Sequence, residues 1–264
     1  MRIKGCIFDL GGTIVDKYSL SPFISLKHAF KCKNININNN LIYKDMGKDK
    51  KQHIINIFKD KYISRNWYQL YGNYPLPEDI ENIHDNFKKI QLQNCKYIEI
   101  IPETKDCFQF LKDNNIKTGC TTGFNLEIMN KIKTQLQENN IYLDSHVSST
   151  CIEGQSRPEP SMIYKNMENL NIDNPTNIIK IDDTNIGIEE GKNAKCWTVG
   201  VARWSTYMNV LPSELSILNR ELIESKKIES RKTLEKSKPD FIIDTLDELP
   251  NIINKLILKF IDTN

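Results

Sequence analysis

The chain has 264 residues, of which 39% are hydrophobic and 27% are charged, a composition typical of a folded globular protein. Its 36 Lys and Arg nearly balance its 34 Asp and Glu, so the net charge of +2 gives no support for a nucleic-acid-binding or membrane-binding surface. No apolar run approaches the roughly 18 residues that would span a bilayer, and no signal peptide is visible, so we expect a cytoplasmic protein.

Four short apolar runs are predicted to be buried parallel strands. They cover residues 3–10, 116–122, 178–183 and 197–202, and the first three end in polar residues. Helical patterns lie between them, such as the apolar spacing within residues 126–136. This alternation predicts an α/β fold with a doubly wound, Rossmann-like parallel sheet. Ligands of such sheets bind at the carboxyl ends of the strands, so we expect the polar ends to meet in one crevice.

Residues 19–98 break the alternation, because they show helical patterns and little strand signal. The helix-like stretches cover residues 23–30, 41–59 and 78–92. We interpret residues 19–98 as a helical cap domain inserted after the first strand, with residues 1–18 and 99–264 forming the catalytic core. Within the core, the polar segment 203–238 is predicted to be partly helical, and a last strand and a terminal helix follow it.

Two of the strand ends carry residues suited to phosphoryl chemistry. Asp9 begins the segment D-L-G-G-T, and a carboxylate held outward before a glycine turn suits a covalent nucleophile that passes through an aspartyl phosphate. The alternative is an Asp that caps the following turn. Thr122 and Gly123 end the second run, where a hydroxyl and backbone N–H groups suit a phosphate, although Thr-Thr-Gly is also common in ordinary loops.

A cation and a pair of carboxylates complete the set. Arg157 lies in S-R-P-E-P and is suited to neutralising a phosphoryl group, although an isolated surface Arg is the alternative. Asp182 and Asp183 end the third run, and two adjacent carboxylates there are costly unless a cation binds. Oxygen ligands of this kind suit Mg²⁺. The alternative is capping of a helix that starts near Gly187.

In this order and spacing, the motifs resemble the haloacid dehalogenase superfamily, and within it the phosphonoacetaldehyde hydrolase (phosphonatase) family. The segments that carry the resemblance are IFDLGGTIVD, MGKDKKQHI, TTGFNLEIM, SRPEPSMIYKNM, IDDTNIGIEEGKNAKCWTVGV and FIIDTLDELP. The resemblance covers nearly the whole chain. It implies a Mg²⁺-dependent hydrolase that cleaves the C–P bond of a small-molecule phosphonate and forms a homodimer through its caps.

The resemblance also implies roles for residues of the core. Asp9 would be the nucleophile, and Mg²⁺ would be held by Asp9, the backbone carbonyl of Gly11 and Asp183, with Asp182 in support. The residues implied to bind the substrate in the core are Thr122, Gly123 and Arg157. Gly187 stands where some members carry another acidic residue and others carry Gly.

The cap segment M-G-K-D-K-K-Q-H implies a Schiff-base lysine. By alignment with the family, this lysine is Lys50, and Met46 and His53 are its neighbours in the substrate site. Without the resemblance, K-D-K-K is a charge run typical of a solvated helix face, and nothing distinguishes Lys50 from Lys48 or Lys51. We expect the three lysines to lie on one helix, where they would point in different directions, so that only one faces the crevice.

Gly11 separates the candidate chemistries. Ordinary phosphatases of the superfamily carry an Asp at this position, which protonates the leaving group as a general acid. Gly11 therefore argues against the main alternative, a phosphatase or phosphomutase acting on a small phosphorylated metabolite. A catalytically inactive binding protein is a further alternative, disfavoured by the intact motifs. Ser19 and Phe124 stand where well-known bacterial phosphonatases often have Cys and Tyr, so the native substrate is left open.

Overall fold

The computed structural model describes residues 3–152 and 156–261, with the backbone alone at 259–261. Across these ranges six strands form one sheet, in which every pair of neighbours is parallel. The strands are β1 (Gly5–Phe8), β2 (Lys117–Thr122), β3 (Ser145–Ser148), β4 (Ile178–Asp182), β5 (Trp197–Val201) and β6 (Phe241–Ile243). Their order is β3-β2-β1-β4-β5-β6. This is the strand order of a doubly wound sheet, so the predicted fold class is confirmed.

Helices alternate with the strands after β2 and stand together before it. They are α1 (Leu20–Lys31), α2 (Asn39–Lys44), α3 (Lys50–Phe58), α4 (Lys61–Tyr71), α5 (Pro77–Asn94), α6 (Thr104–Asp113), α7 (Leu126–Glu138), α8 (Ser161–Leu170), α9 (Asn185–Asn193), α10 (Arg220–Leu234) and α11 (Leu249–Ile261). No helix within the described ranges combines the length and the apolar character needed to cross a membrane.

The sheet is buried on both faces, as its continuous apolar runs predicted. In β1, Cys6 and Phe8 join a large apolar cluster with residues of α6, α7 and α11, whereas Ile7 points to the other face and packs with Ile163 and Leu170 of α8. All four residues of β1 are buried. β1 is paired with β2 on one side and β4 on the other, so the ends of these three strands are adjacent.

Helices α1 to α5 occupy the region predicted to be a helical cap, and we refer to them as the cap. They have an apolar cluster of their own, which includes the almost fully buried rings of Phe23, Phe30, Trp67 and Phe87. The two connections to the core run side by side, because the amide of Asp16 donates to the carbonyl of Glu99 at 2.8 Å and Val15 forms an isolated antiparallel bridge with Ile100. These contacts support the cap limits of 19 and 98, which stay a prediction.

One predicted helix in the cap is wrong. Residues 41–59 were expected to be helix-like throughout, but the chain leaves α2 at Lys44 and begins α3 only at Lys50. Gly47 in the connection has a φ of 91°, which a helix does not accommodate, and the Asp49 side chain accepts from the amide of Gln52 to cap α3. Lys48 therefore precedes the helix that contains Lys50 and Lys51. The expectation of three lysines on one helix is corrected accordingly.

Candidate active site

The polar ends of three adjacent strands meet at one cavity, and the cap covers it. Asp9 directly follows β1, Thr122 ends β2, and Asp183 directly follows β4. The residues that line the cavity are Asp9, Gly11, Ser19, Pro22, Met46, Gly47, Lys50, Thr122, Gly123, Phe124, Arg157, Asp183 and Thr184. The structure thus brings the residues proposed for the site from sequence to this cavity, except His53 and the supporting carboxylate of Asp182, which do not line it.

Three carboxylates lie close together, two of them lining the cavity and the third behind them. Asp9, Asp182 and Asp183 are buried, and each offers an oxygen such that the three atoms lie within 4.8 Å of one another. Gly12 makes this approach possible, because a Cβ at that position would overlap the Asp183 carboxylate, and its φ of 79° favours glycine. The turn after β1 therefore needs its glycine to let the end of β4 come close.

The pKa values of these carboxyl groups reflect their burial and mutual repulsion. Desolvation raises the pKa of Asp9 to about 6, although the neighbouring Arg157 guanidinium partly opposes the shift. Desolvation, with repulsion from Asp9 and Asp182, raises the pKa of Asp183 well above its usual range. Desolvation also works against the charge of Asp182, but Lys180 and Arg157 together hold its pKa below the ordinary value. Asp9 and Asp183 therefore lack enough nearby positive charge, whereas Asp182 has it.

The donors present fit a hard divalent cation. Six ionisable side chains beneath the cavity form one group of close contacts: Asp9, Asp182, Asp183, Glu190, Lys180 and Arg157. Lys50 and Asp16 are also buried near Asp9, and their opposite charges cancel when both are ionised. When all are ionised, the carboxylates exceed the cations by two charges, which a divalent ion would balance. One oxygen of Asp183 accepts from the amide of Thr206 at 2.9 Å, and the other has no hydrogen-bond partner among the described residues. Asp9 and Asp183 are the residues suited to hold such an ion.

Arg157 is the cation in direct contact with Asp9 and is not a surface residue. Its side chain is only 3% exposed, and its Nη1 lies 2.8 Å from Asp9 Oδ1 and 3.5 Å from Asp182 Oδ2. Burial opposes its charge, but Glu190, Asp182 and Asp9 together raise its pKa above the usual value. A guanidinium held in this way can meet oxyanions bound next to Asp9.

The loop after β2 forms one wall of the cavity. The Thr122 hydroxyl accepts from the amide of Phe124 at 3.1 Å, which folds the loop so that Gly123 and the Phe124 ring line the cavity. A Cβ on Gly11 would meet the Ser19 hydroxyl and the Phe124 ring at 3.5 and 3.6 Å, which are ordinary van der Waals contacts. Ser19 and Phe124 therefore shape the space above Gly11.

The connection between α2 and α3 is the part of the cap that contacts the core next to the cavity. A Cβ on Gly47 would lie 2.9 Å from Ile186 and 3.1 Å from the Thr184 hydroxyl, so the close approach to the strand-end loop requires glycine. On the other side, the carbonyl oxygens of Gly47 and Lys48 lie within 4 Å of an ideal Cβ on Gly123. The cap residues therefore close over the floor of the cavity.

Of the three neighbouring lysines, Lys50 is the one that lines the cavity. It is the first residue of α3 and is only 8% exposed; its Nζ lies 3.4 Å from the carbonyl of Lys48 and 3.8 Å from the sulfur of Met46. Desolvation lowers the pKa of Lys50 to about 8, against the attraction of Asp49 and Asp9. Lys48 instead contacts Asp45 at 2.5 Å, and Lys51 pairs with Glu81 on the cap surface.

His53 follows Lys50 by three residues on α3 and does not line the cavity. It is fully buried, its Nε2 is 3.4 Å from the carbonyl oxygen of Leu41, and its Nδ1 has no hydrogen-bond partner among the described residues. Burial, and then the charge of Lys50, lower the pKa of His53 to about 3, so its ring is neutral at neutral pH. Direct substrate binding by His53 has no support in this arrangement, and any role would act through Lys50.

Known proteins share the motifs and the architecture. A model described as a haloacid dehalogenase-like hydrolase matches residues 3–195. The phosphonoacetaldehyde hydrolase of Aliivibrio salmonicida is 31% identical over 95% of this chain and 93% of its own length. The chain belongs to the haloacid dehalogenase-like hydrolases, in the phosphonoacetaldehyde hydrolase family.

Two further relatives extend this comparison. The crystal structure of a phosphonoacetaldehyde hydrolase like protein from Oleispira antarctica has a TM-score of 0.91 at 27% identity, covering 97% of this chain and 93% of that one. A bifunctional phosphonoacetaldehyde hydrolase/aminoethylphosphonate transaminase of Clostridioides difficile is 28% identical over 97% of this chain, which spans 40% of that longer protein. The family fold is therefore shared over nearly the full length of the chain.

Beside these family motifs, the site includes residues that sequence reasoning missed. Lys180 and Glu190 are fully buried and contact Arg157 or its partners, and the Thr121 side chain lies among them. One signal was present: a lysine in the middle of the apolar run IIKID is costly in a buried strand unless it is paired. Glu190 gave no comparable signal, because its partner Arg157 is far away in sequence.

Proposed function

We propose that the chain hydrolyses phosphonoacetaldehyde to acetaldehyde and phosphate, with Lys50 and Asp9 as its catalytic residues. The observation that carries the proposal is the presence of a buried amine of lowered pKa and a strand-end carboxylate in one cavity. The relatives named above as phosphonoacetaldehyde hydrolases support the same reaction. A phosphatase would use Asp9 but has no role for Lys50.

Gly11 supports cleavage of a C–P bond rather than a phosphate ester. It lines the cavity but offers no side chain to protonate a leaving oxygen. A carbon leaving group needs a different device, because an unassisted carbanion is too basic to leave. An imine supplies that device, since it accepts the electron pair of the breaking bond.

Lys50 would form that imine. Its unprotonated amine adds to the aldehyde carbon and water is lost, which leaves a protonated imine after proton transfer. The pKa of about 8 keeps a useful fraction of the amine unprotonated near neutral pH. The sulfur of Met46 lies 3.8 Å from the amine, so a side chain without charge borders it.

Asp9 would then attack phosphorus. As the new O–P bond forms, the C–P bond breaks and its electron pair moves into the imine, which becomes an enamine. Water hydrolyses the aspartyl phosphate to release phosphate, and the enamine takes up a proton at carbon before the imine hydrolyses to acetaldehyde. Arg157, Thr122 and Gly123 line the place where the phosphonate oxygens would bind.

Mg²⁺ is the cation that we propose for the carboxylate cluster. Asp9, Asp183 and the backbone carbonyl of Gly11 would hold it, with Asp182 in support. When bound, it would offset negative charge on the phosphoryl oxygens. The homodimer implied by the resemblance also stays a prediction.

The test compares two substrates and traps the imine. Phosphate release from phosphonoacetaldehyde should exceed release from p-nitrophenyl phosphate, and borohydride added with phosphonoacetaldehyde should inactivate the enzyme with the reduced adduct on Lys50. Lys50→Arg keeps the charge but cannot form the imine, so it should be inactive, whereas Lys51→Arg on the cap surface serves as the matched control. Faster hydrolysis of phosphate esters than of phosphonoacetaldehyde would favour the phosphatase alternative.

A further inference from the structure

A buried group of polar side chains lies behind Arg157, on the side away from the cavity. Lys180 stands in the middle of β4 and is fully buried. Its Nζ lies 2.9 Å from Asp182 Oδ2 and 3.3 Å from Glu190 Oε2, and it donates to the Thr121 hydroxyl at 2.7 Å. Lysine is almost never fully buried unless it is paired, and burying a charged pair is costly. The presence of Lys180 here therefore suggests a role beyond packing.

Glu190 and Thr121 bind the inner edge of the Arg157 guanidinium. Nε of Arg157 donates to Glu190 Oε2 at 2.9 Å, and Nη2 donates to the carbonyl and the hydroxyl of Thr121 at 2.7 and 2.6 Å. The Thr121 hydroxyl, which accepts from Arg157 and Lys180, donates its own proton to Glu190 at 3.1 Å. Only Nη1 is left to face Asp9 and the cavity.

The close packing of α9 on β4 allows Glu190 to contact both Lys180 and Arg157. A Cβ on Gly191 would lie 2.8 Å from both Cβ and Cγ of Lys180, so glycine lets the helix rest directly on the lysine stem. That approach places the preceding residue, Glu190, within reach of both the Lys180 amine and the Arg157 guanidinium. In the same way, Gly187 leaves room for the Asp182 carboxylate, which a Cβ there would overlap.

We propose that Lys180, Glu190 and Thr121 form a positioning group that fixes Arg157 with Nη1 presented to the oxyanion beside Asp9. The proposal rests on the proposed function to the extent that Arg157 binds the phosphonate oxygens. Glu190 supplies the carboxylate that orients the guanidinium. Lys180 contacts both Glu190 and Asp182 and offsets part of their charge, which holds the two carboxylates in place around Arg157. A long side chain that is fixed before the oxyanion arrives loses less conformational freedom on binding it.

The positioning group predicts a loss confined to oxyanion recognition. Glu190→Gln keeps the shape but removes the carboxylate, so the ion pair with Arg157 becomes a hydrogen bond to a neutral oxygen. The guanidinium is then held less firmly, and we expect inorganic phosphate to bind about tenfold more weakly in saturating Mg²⁺. The KM for phosphonoacetaldehyde should rise by a similar factor. Trapping of acetaldehyde on Lys50 by borohydride should keep its wild-type rate, because acetaldehyde has no phosphonate group. Glu189→Gln, an exposed neighbour on α9, is the matched control and should leave all three measurements unchanged.

A double-substitution cycle shows whether Glu190 acts through Arg157. In an Arg157→Lys background, Glu190→Gln should cause little further loss of phosphate binding. An equal loss in both backgrounds, or wild-type phosphate affinity in Glu190→Gln, overturns the proposal. If Glu190→Gln does not fold, Thr121→Val carries the test, since it removes the hydroxyl between Arg157 and Lys180, and unchanged phosphate affinity there overturns the proposal equally. Wild-type protein that binds phosphate but does not cleave phosphonoacetaldehyde would refute the proposed function and leave this inference standing.

Discussion

Replacing Lys50 by Met should stabilise the protein at neutral pH. The pKa of Lys50 falls from 10.5 to about 8 in the fold, chiefly because burial disfavours the ammonium form. Each unit of pKa shift corresponds to about 1.4 kcal/mol, so the charged lysine lowers the free energy of unfolding by about 3 kcal/mol below pH 8. Met fills similar space without a charge and removes this cost, so Lys50→Met should be more stable by about that amount at pH 7.

The gain should depend on pH in a defined direction. Between the folded pKa of about 8 and the unfolded value of 10.5, the unfolded chain binds more protons than the folded one, so the wild type becomes more stable as the pH rises. Above this window both states hold a neutral amine and the cost disappears. The advantage of Lys50→Met should therefore shrink from about 3 kcal/mol at pH 7 to below about 1 kcal/mol at pH 10.

Urea denaturation of both proteins at pH 7 and pH 10 measures this difference. EDTA should be present, so that no bound cation adds to the electrostatics of the site. Lys51→Met is the control, because Lys51 lies on the cap surface and has no burial cost to relieve. A Lys50→Met protein that is less stable than wild type at pH 7, or whose advantage is the same at both pH values, would show that the lysine is not held in a desolvated site.

Further predictions concern the reaction itself. Asp9→Asn should abolish phosphate release while circular dichroism stays near native, and more than a few per cent of residual activity would exclude a nucleophilic Asp9. EDTA should abolish activity and added Mg²⁺ should restore it, and Asp183→Ala should raise the Mg²⁺ concentration needed; full activity in EDTA would refute the metal role. Gly11→Asp has room for its Cβ and should improve hydrolysis of p-nitrophenyl phosphate by up to about 10²-fold while slowing C–P cleavage. If the ratio of the two rates does not change, the lack of an acid at position 11 does not determine the specificity.

Local pattern was sufficient to predict the sheet and the floor of the cavity. The runs that became β1, β2 and β4 were recognisable because strands buried on both faces are continuously apolar, and parallel strands place their carboxyl ends on one edge. Asp9 and Asp183 followed from that geometry. Other elements gave weaker signals. β3 is short and reads SHVS, and α4 has a charged, aromatic sequence, so neither was predicted.

The cap loop shows where local pattern fails. Residues 41–59 have helical apolar spacing, but that spacing does not show that Gly47 must adopt a positive φ to approach Thr184 and Ile186 of the core. Tertiary contact therefore overrode the local preference. The contacts of Lys180 with Glu190, and of Glu190 with Arg157, escaped prediction for the same reason, since they join residues of different elements.

The proposed mechanism requires a neutral amine and an ionised carboxylate in the same small cavity. Lys50 must be neutral to attack the aldehyde, whereas Asp9 must be ionised to attack phosphorus. Desolvation favours the neutral form of both, lowering the pKa of Lys50 to about 8 and raising that of Asp9 to about 6. Arg157 acts differently on the two groups, because its positive charge favours ionised Asp9 and disfavours protonated Lys50. A divalent cation beside Asp9 would act in the same direction on both groups. Burial of the lysine, together with concentrated positive charge at the carboxylate, therefore separates the two ionisation states that the mechanism requires.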